Sequence, residues 1–86
     1  MNRKSVTRKR RKELMKLGRI TREKSLSRDD DGTKLPKEHR CYCVEVLING
    51  WHLCTPENNK FNAFKYALEF GRWQAEQPPY VKKEKE

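Results

Sequence analysis

Nothing in this sequence approaches the ~20 consecutive apolar residues of a membrane span, so no membrane partner is expected. A secretory h-region is missing from the N-terminus. Cysteine is sparse, and its odd count of 3 argues for free thiols in a reducing compartment. The expected setting is therefore cytoplasmic, or nuclear in a eukaryote. No glycine-rich phosphate loop occurs, and no Cys/His pair comes with a third orienting group, so neither an enzyme nor a cofactor is expected. Hydrophobic residues make up only 34% against 38% charged, so an 86-residue chain of this composition builds one small core with part of its length unpacked.

Acidic residues are scarce at one end. Residues 1–28 hold 12 Lys/Arg against 2 Asp/Glu, whereas residues 29–86 hold 9 against 10, so the whole net charge of +9 is N-terminal. Clustered cations displace counterions from phosphate, which makes nucleic acid the expected partner of this end.

The best-marked stretch runs from Tyr42 to Thr55. It alternates apolar and polar residues on both sides of Asn49-Gly50, the signature of a two-residue type I′ hairpin. That turn sets Ile48 opposite Trp51, Val46 opposite Leu53, Glu45 opposite Cys54 and Val44 opposite Thr55. Tyr42, Val44, Val46, Ile48, Trp51 and Leu53 then share a packing face. Cys41, Cys43, Glu45, Leu47, His52 and Cys54 share the other. Lys34–Arg40, with Pro36, either adds an irregular third strand or leads into the hairpin.

Helices are expected on both sides. Thr7 is placed to cap a basic helix ending at Gly18, whose first turns should fray without an anion because five adjacent cations repel and oppose the macrodipole. Residues 19–33 lose periodicity and read as a linker, with Asp29-Asp30-Asp31-Gly32 as a solvated turn. After the hairpin, Thr55-Pro56 starts a helix to about Gln77, with Asn58 and Asn59 as rival caps, and Pro78-Pro79 stops it. Phe61, Phe64, Ala67, Leu68, Gly71 and Ala75 form the stripe that covers the hairpin. Ala63, Tyr66, Phe70 and Trp73 form a second stripe on nearly the opposite side, which packs under Leu14/Leu17, meets another subunit or binds a partner.

The expected fold is thus α+β: a hairpin or three-stranded sheet on a C-terminal helix, preceded by a basic helix. The expected divisions are a basic arm over 1–28, a linker over 29–40, a core over 41–79 and a charged tail over 80–86. The core should survive deletion of residues 1–28.

Cys41, Cys43, His52 and Cys54 match a zinc set by residue type, but the register spreads them three steps along the strands at ~3.3 Å each, too far to converge on one ion. No metal is expected.

Strand, Asn-Gly turn, strand and a helix carrying A-F-K-Y-A-L-E-F over residues 42–77 resemble the sheet-plus-helix DNA-binding modules of the AP2 type, including the arm-binding domains of phage tyrosine recombinases. The resemblance implies a three-stranded sheet in the major groove and a basic tail along the duplex, with Arg3 to Lys16 in the tail's place. The hairpin's open face offers Cys43, Glu45, Leu47, His52 and Cys54 but no arginine for bidentate guanine contact, so contacts to phosphate are expected instead. The basic stretch also resembles arginine-rich helices that bind RNA hairpins.

The residues therefore point to a non-enzymatic nucleic-acid-binding accessory or regulatory protein, with DNA ahead of RNA. Arg8, Lys9, Arg10, Arg11, Lys12, Lys16 and Arg19 are the expected phosphate contacts. The alternative is a small regulator that docks on a protein of a larger nucleic-acid machine through Tyr66, Phe70 and Trp73.

Overall fold

A computed structural model describes residues 2–81; the tail from residue 82 lies outside the described residues. Helix α1 (Arg3–Leu17) leads into strand β1 (Arg19–Leu26), a short 3-10 turn (Lys37–His39), strands β2 (Cys41–Ile48) and β3 (Trp51–Glu57), and helix α2 (Lys60–Ala75). The strands form one antiparallel sheet in the order β1-β2-β3. The fold is α+β with the sheet packed on the C-terminal helix, as the sequence implies.

The hairpin takes the expected register at every pair, including Ile48 with Trp51 and Val44 with Thr55. Asn49 and Gly50 have φ of 56° and 83°, the left-handed pair that a type I′ turn requires. The turn is also strapped from behind. The Asn49 side chain donates to the Gln77 carbonyl, the Tyr80 N–H donates to the Asn49 carbonyl, and Trp51 Nε1 donates to the Pro78 carbonyl. Tyr80 meets Trp51 edge to face at 4.9 Å. The first tail residue is therefore pinned rather than loose.

The linker expected over residues 19–33 is corrected by β1. Its residues pair with β2 from Arg19–Leu47 to Leu26–Cys41, with a bulge between Ile20 and Arg22. The bulge shifts the alternation, so Glu23 and Ser25 fall on the helix-facing side and no apolar period survives in the sequence. Only the turn behind it behaves as read: the Asp29 carboxylate accepts the N–H groups of Asp31 and Thr33, and Gly32 sits at φ 82°. Lys34–Arg40 supplies the 3-10 turn and one isolated bridge to Arg28, not the third strand.

Both helices lie on one face of the sheet, over Val44, Val46 and Ile48. These join Leu14, Ala63, Phe64, Ala67 and Leu68 in a single core. Leu14 is fully buried, so α1 belongs to the same packed unit as the hairpin, and the boundary expected at residue 28 is not a packing boundary. Helix α1 begins earlier than expected, capped by Asn2, whose side chain accepts the Ser5 N–H. Thr7, the expected cap, is buried in the helix interior. Helix α2 begins later, at the rival cap Asn59, whose side chain accepts the Asn62 N–H. Thr55, Pro56 and Glu57 extend β3 instead. Proline is tolerated there because β3 is an edge strand with one side free of ladder bonds.

Gly18 alone joins α1 to β1. Its N–H donates to the Leu14 carbonyl, and a Cβ added there would run into the Leu47 carbonyl oxygen and come within 2.7 Å of Ile48 Cγ1. Since its φ of −173° is extended, the requirement is space rather than conformation. Backbone cannot rotate away, so Gly18→Ala is expected to cost about 2 kcal/mol of unfolding free energy. Chemical denaturation reads this directly; a loss under about 0.5 kcal/mol would mean that helix and strand do not approach this closely.

Candidate nucleic-acid interface

Seven cations of the first nineteen residues are expected to hold phosphate, and the packing of α1 divides them. Arg8, Lys9, Lys12 and Lys16 are exposed, as is Arg19 at the start of β1. The helical residues recur at three- and four-residue spacing and so share the solvent side of α1. Arg10 and Arg11 are half-buried. The Arg10 guanidinium lies 4.6 Å from the Phe61 ring centre and donates to the Phe61 carbonyl. That of Arg11 lies 4.9 Å from the Phe64 ring centre and pairs with Glu23 at 2.7 Å. These two side chains fasten α1 to α2 and the sheet. The fraying expected for this half of the helix is thereby corrected: α1 is helical from Arg3, and the repulsion at Arg10 and Arg11 is relieved by aromatic faces and a carboxylate.

Glu23 is the hub of that junction. It accepts from Arg11 on α1 and, at 3.0 Å, from the Tyr42 hydroxyl on β2. Burial opposes its charge, but these hydrogen bonds and the charges of Arg11 and Lys60 prevail and hold its carboxyl below the usual carboxylate range. Burial, then the bond to Glu23 and its negative charge, push the Tyr42 hydroxyl up. A carboxyl lowered on folding contributes stability above its unfolded value of about 4.3, lost as pH falls through the folded value. Glu23→Gln is therefore expected to cost about 1 kcal/mol at pH 7 and to flatten the acid limb of stability below about pH 4.5. Thermal denaturation of both proteins from pH 7 to pH 3 checks it; parallel curves would remove Glu23 from the junction.

The second finding is on the sheet. Among the described residues no helix covers the face opposite the core, and there Arg22, Lys24 and Leu26 of β1 line a shallow groove of about 180 Å³ with Cys43, Glu45 and Cys54. Arg19 pairs with Leu47 and so projects on the same side. The sequence reading, which had only the hairpin in view, left this face without an arginine. The structure corrects that, since β1 adds three cations to it. Arg22 stands opposite Glu45, yet the ion pairs formed among the described residues are Arg11–Glu23 and Arg72–Glu13. The Arg22 guanidinium thus keeps its donors for another acceptor. The one sequence signal for these residues was the run Arg22, Lys24, Leu26 at two-residue spacing.

The thiols on this face lie apart from one another among the described residues. Cys41 and Cys43 sulfurs lie 4.0 Å apart, and Cys54 is exposed across the ladder. No three His, Cys, Asp or Glu side chains converge on one point among the described residues. Burial, together with Cys41, Cys54 and Glu45, pushes the Cys43 thiol up, away from the thiolate that nucleophilic chemistry needs.

Of the second aromatic stripe, Ala63 is buried in the core, Tyr66 is half-buried, and Phe70 and Trp73 are 53% and 58% exposed. Leu14 and Leu17 pack over Gly71 instead, where an added Cβ would lie 3.1 Å from Leu14 and 2.8 Å from Ile48. Helix α1 therefore seals the first stripe from a second direction and leaves Phe70 and Trp73 uncovered. Among the described residues no helix is long and apolar enough to cross a membrane. No family model, curated protein or solved structure matches this chain.

Proposed function

We propose that this protein is a non-enzymatic nucleic-acid-binding accessory or regulatory protein, with DNA as the preferred partner over RNA. The observation that carries this reading is the disposition of the basic residues: Arg8, Lys9, Lys12 and Lys16 on the outer side of α1, and Arg19, Arg22 and Lys24 on the uncovered sheet face. Helical cations suit phosphates, which fix position without reading sequence. Arg22 and Lys24, on the edge strand of the sheet, suit the acceptor edge of guanine in the major groove. The likeness to AP2-type modules supports the same division of labour.

A second reading keeps its own observation, the exposed Phe70 and Trp73, which fit a protein partner of a nucleic-acid machine. One experiment separates the two. The purified protein is expected to carry nucleic acid that high salt or nuclease removes. A host-protein complex that survives both treatments, with no nucleic acid bound, would transfer the function to the aromatic face.

A further inference from the structure

The net charge of residues 29–86 is −1, so charge counted over that whole stretch gives no sign of a phosphate contact on α2. The fold nevertheless brings its first turn against the first two turns of α1. A cleft of about 380 Å³ opens there, lined by Arg3, Lys4, Thr7, Arg8 and Arg11 of α1 and by Lys60 and Phe61 of α2. Five of the seven are cations. The helix N-termini add positive dipole ends, and neither has an acidic residue in its first turn to offset them. Glu23, the carboxylate in reach, is already committed to Arg11 and Tyr42. Phe61 forms the apolar wall, with the Arg3 guanidinium 4.9 Å from its ring centre. Arg11 Nε is buried and has no hydrogen-bond partner, so even the inner end of the cleft keeps a donor unused.

Arg11 is neutralised by Glu23, but Arg3, Lys4, Arg8 and Lys60 form no ion pair among the described residues, and four such cations around one cleft favour an anion within it. We infer that this cleft seats a backbone phosphodiester of the bound nucleic acid, with Lys60 as a contact contributed by the otherwise acidic part of the chain. The inference rests on the reading proposed above and extends the contact surface of α1, with which the cleft shares Arg8, toward α2. The volume exceeds that of one phosphate and leaves room for the adjoining sugar against Phe61.

Lys60 is exposed but its ammonium lies 5.9 Å from the Tyr42 ring centre, so a thermal melt of Lys60→Ala separates any loss of stability from loss of binding, and Lys37→Ala on the 3-10 turn removes the same charge elsewhere on the surface. The measurement is duplex DNA affinity of the full chain across a salt series. Lys60→Ala is expected to lower the slope of log K against log salt by about 0.9 and to weaken binding about fivefold at 0.15 M salt, with Lys37→Ala changing neither. Titration with inorganic phosphate, followed by amide resonances, should show saturable shifts at Thr7, Lys60 and Phe61 that Lys60→Ala abolishes. If the parent protein binds DNA and Lys60→Ala keeps its full slope, or if the two variants lose affinity equally, the cleft is not a phosphate seat, although the nucleic-acid reading stands. If the parent binds neither duplex nor RNA hairpin, that reading falls and the assignment of a backbone phosphate falls with it.

Discussion

Removing residues 1–28 is expected to abolish cooperative unfolding of what remains. The sequence, with its charge concentrated before residue 29, suggests the opposite, that a basic arm is dispensable. Packing reverses this. Leu14 is fully buried among Val44, Val46, Ile48, Phe64 and Leu68, and β1 supplies one of the two ladders that hold β2. Without them β2 becomes an edge, Phe61 and Phe64 lose the guanidinium groups stacked on them, and what is left is a hairpin against one helix. Domains this small rarely retain more than about 3–5 kcal/mol. The milder change Leu14→Ala removes about 3 kcal/mol, by lost transfer energy and the cavity left behind. Circular dichroism melts should therefore show a broad, low-amplitude change for the truncated chain and a midpoint far below the parent's for Leu14→Ala. A sharp transition in residues 29–86 near the parent's midpoint would mean that α1 docks on an already complete core.

The largest effect on binding is expected from Arg8→Ala, Lys9→Ala and Lys12→Ala together. All three side chains are exposed, and none takes part in the ion pairs formed among the described residues. The triple variant should melt like the parent while losing about two orders of magnitude in affinity for duplex DNA at 0.15 M salt. The slope of log K against log salt should fall by about 3, and all sequences should weaken alike, because phosphate contacts carry no base information. Substituting Arg10 and Arg11 would not test the same thing, since those side chains hold Phe61, Phe64 and Glu23 and their loss lowers stability as well. An unchanged slope in the Arg8/Lys9/Lys12 variant would move the contact away from α1, and the exposed Phe70 and Trp73 would become the leading surface.

The hairpin was legible from Val44 to Thr55 because its information is local: alternation at period two, Asn-Gly at the turn and a two-residue loop that admits one register. Phe64, Ala67, Leu68 and Gly71 of the α2 stripe were legible for the same reason, but Ala63 is buried with them and Ala75 is exposed, and the cap lies at Asn59, four residues beyond Thr55, because Thr55-Pro56 looks like a helix opening wherever it falls. The basic character of the first 28 residues needed only counting. What sequence could not supply was the partner of each segment. β1 is an edge strand whose helix-facing positions carry Glu23 and Ser25 beyond a bulge, so its tie to the helices runs through Arg11 and Tyr42, residues 12 and 19 positions away. Likewise nothing local distinguishes Arg8, free on the surface, from Arg11, stacked on Phe64. Local periodicity records which side of a segment is apolar. Only the tertiary structure decides which segments meet, and so which cations hold the fold together and which remain for phosphate.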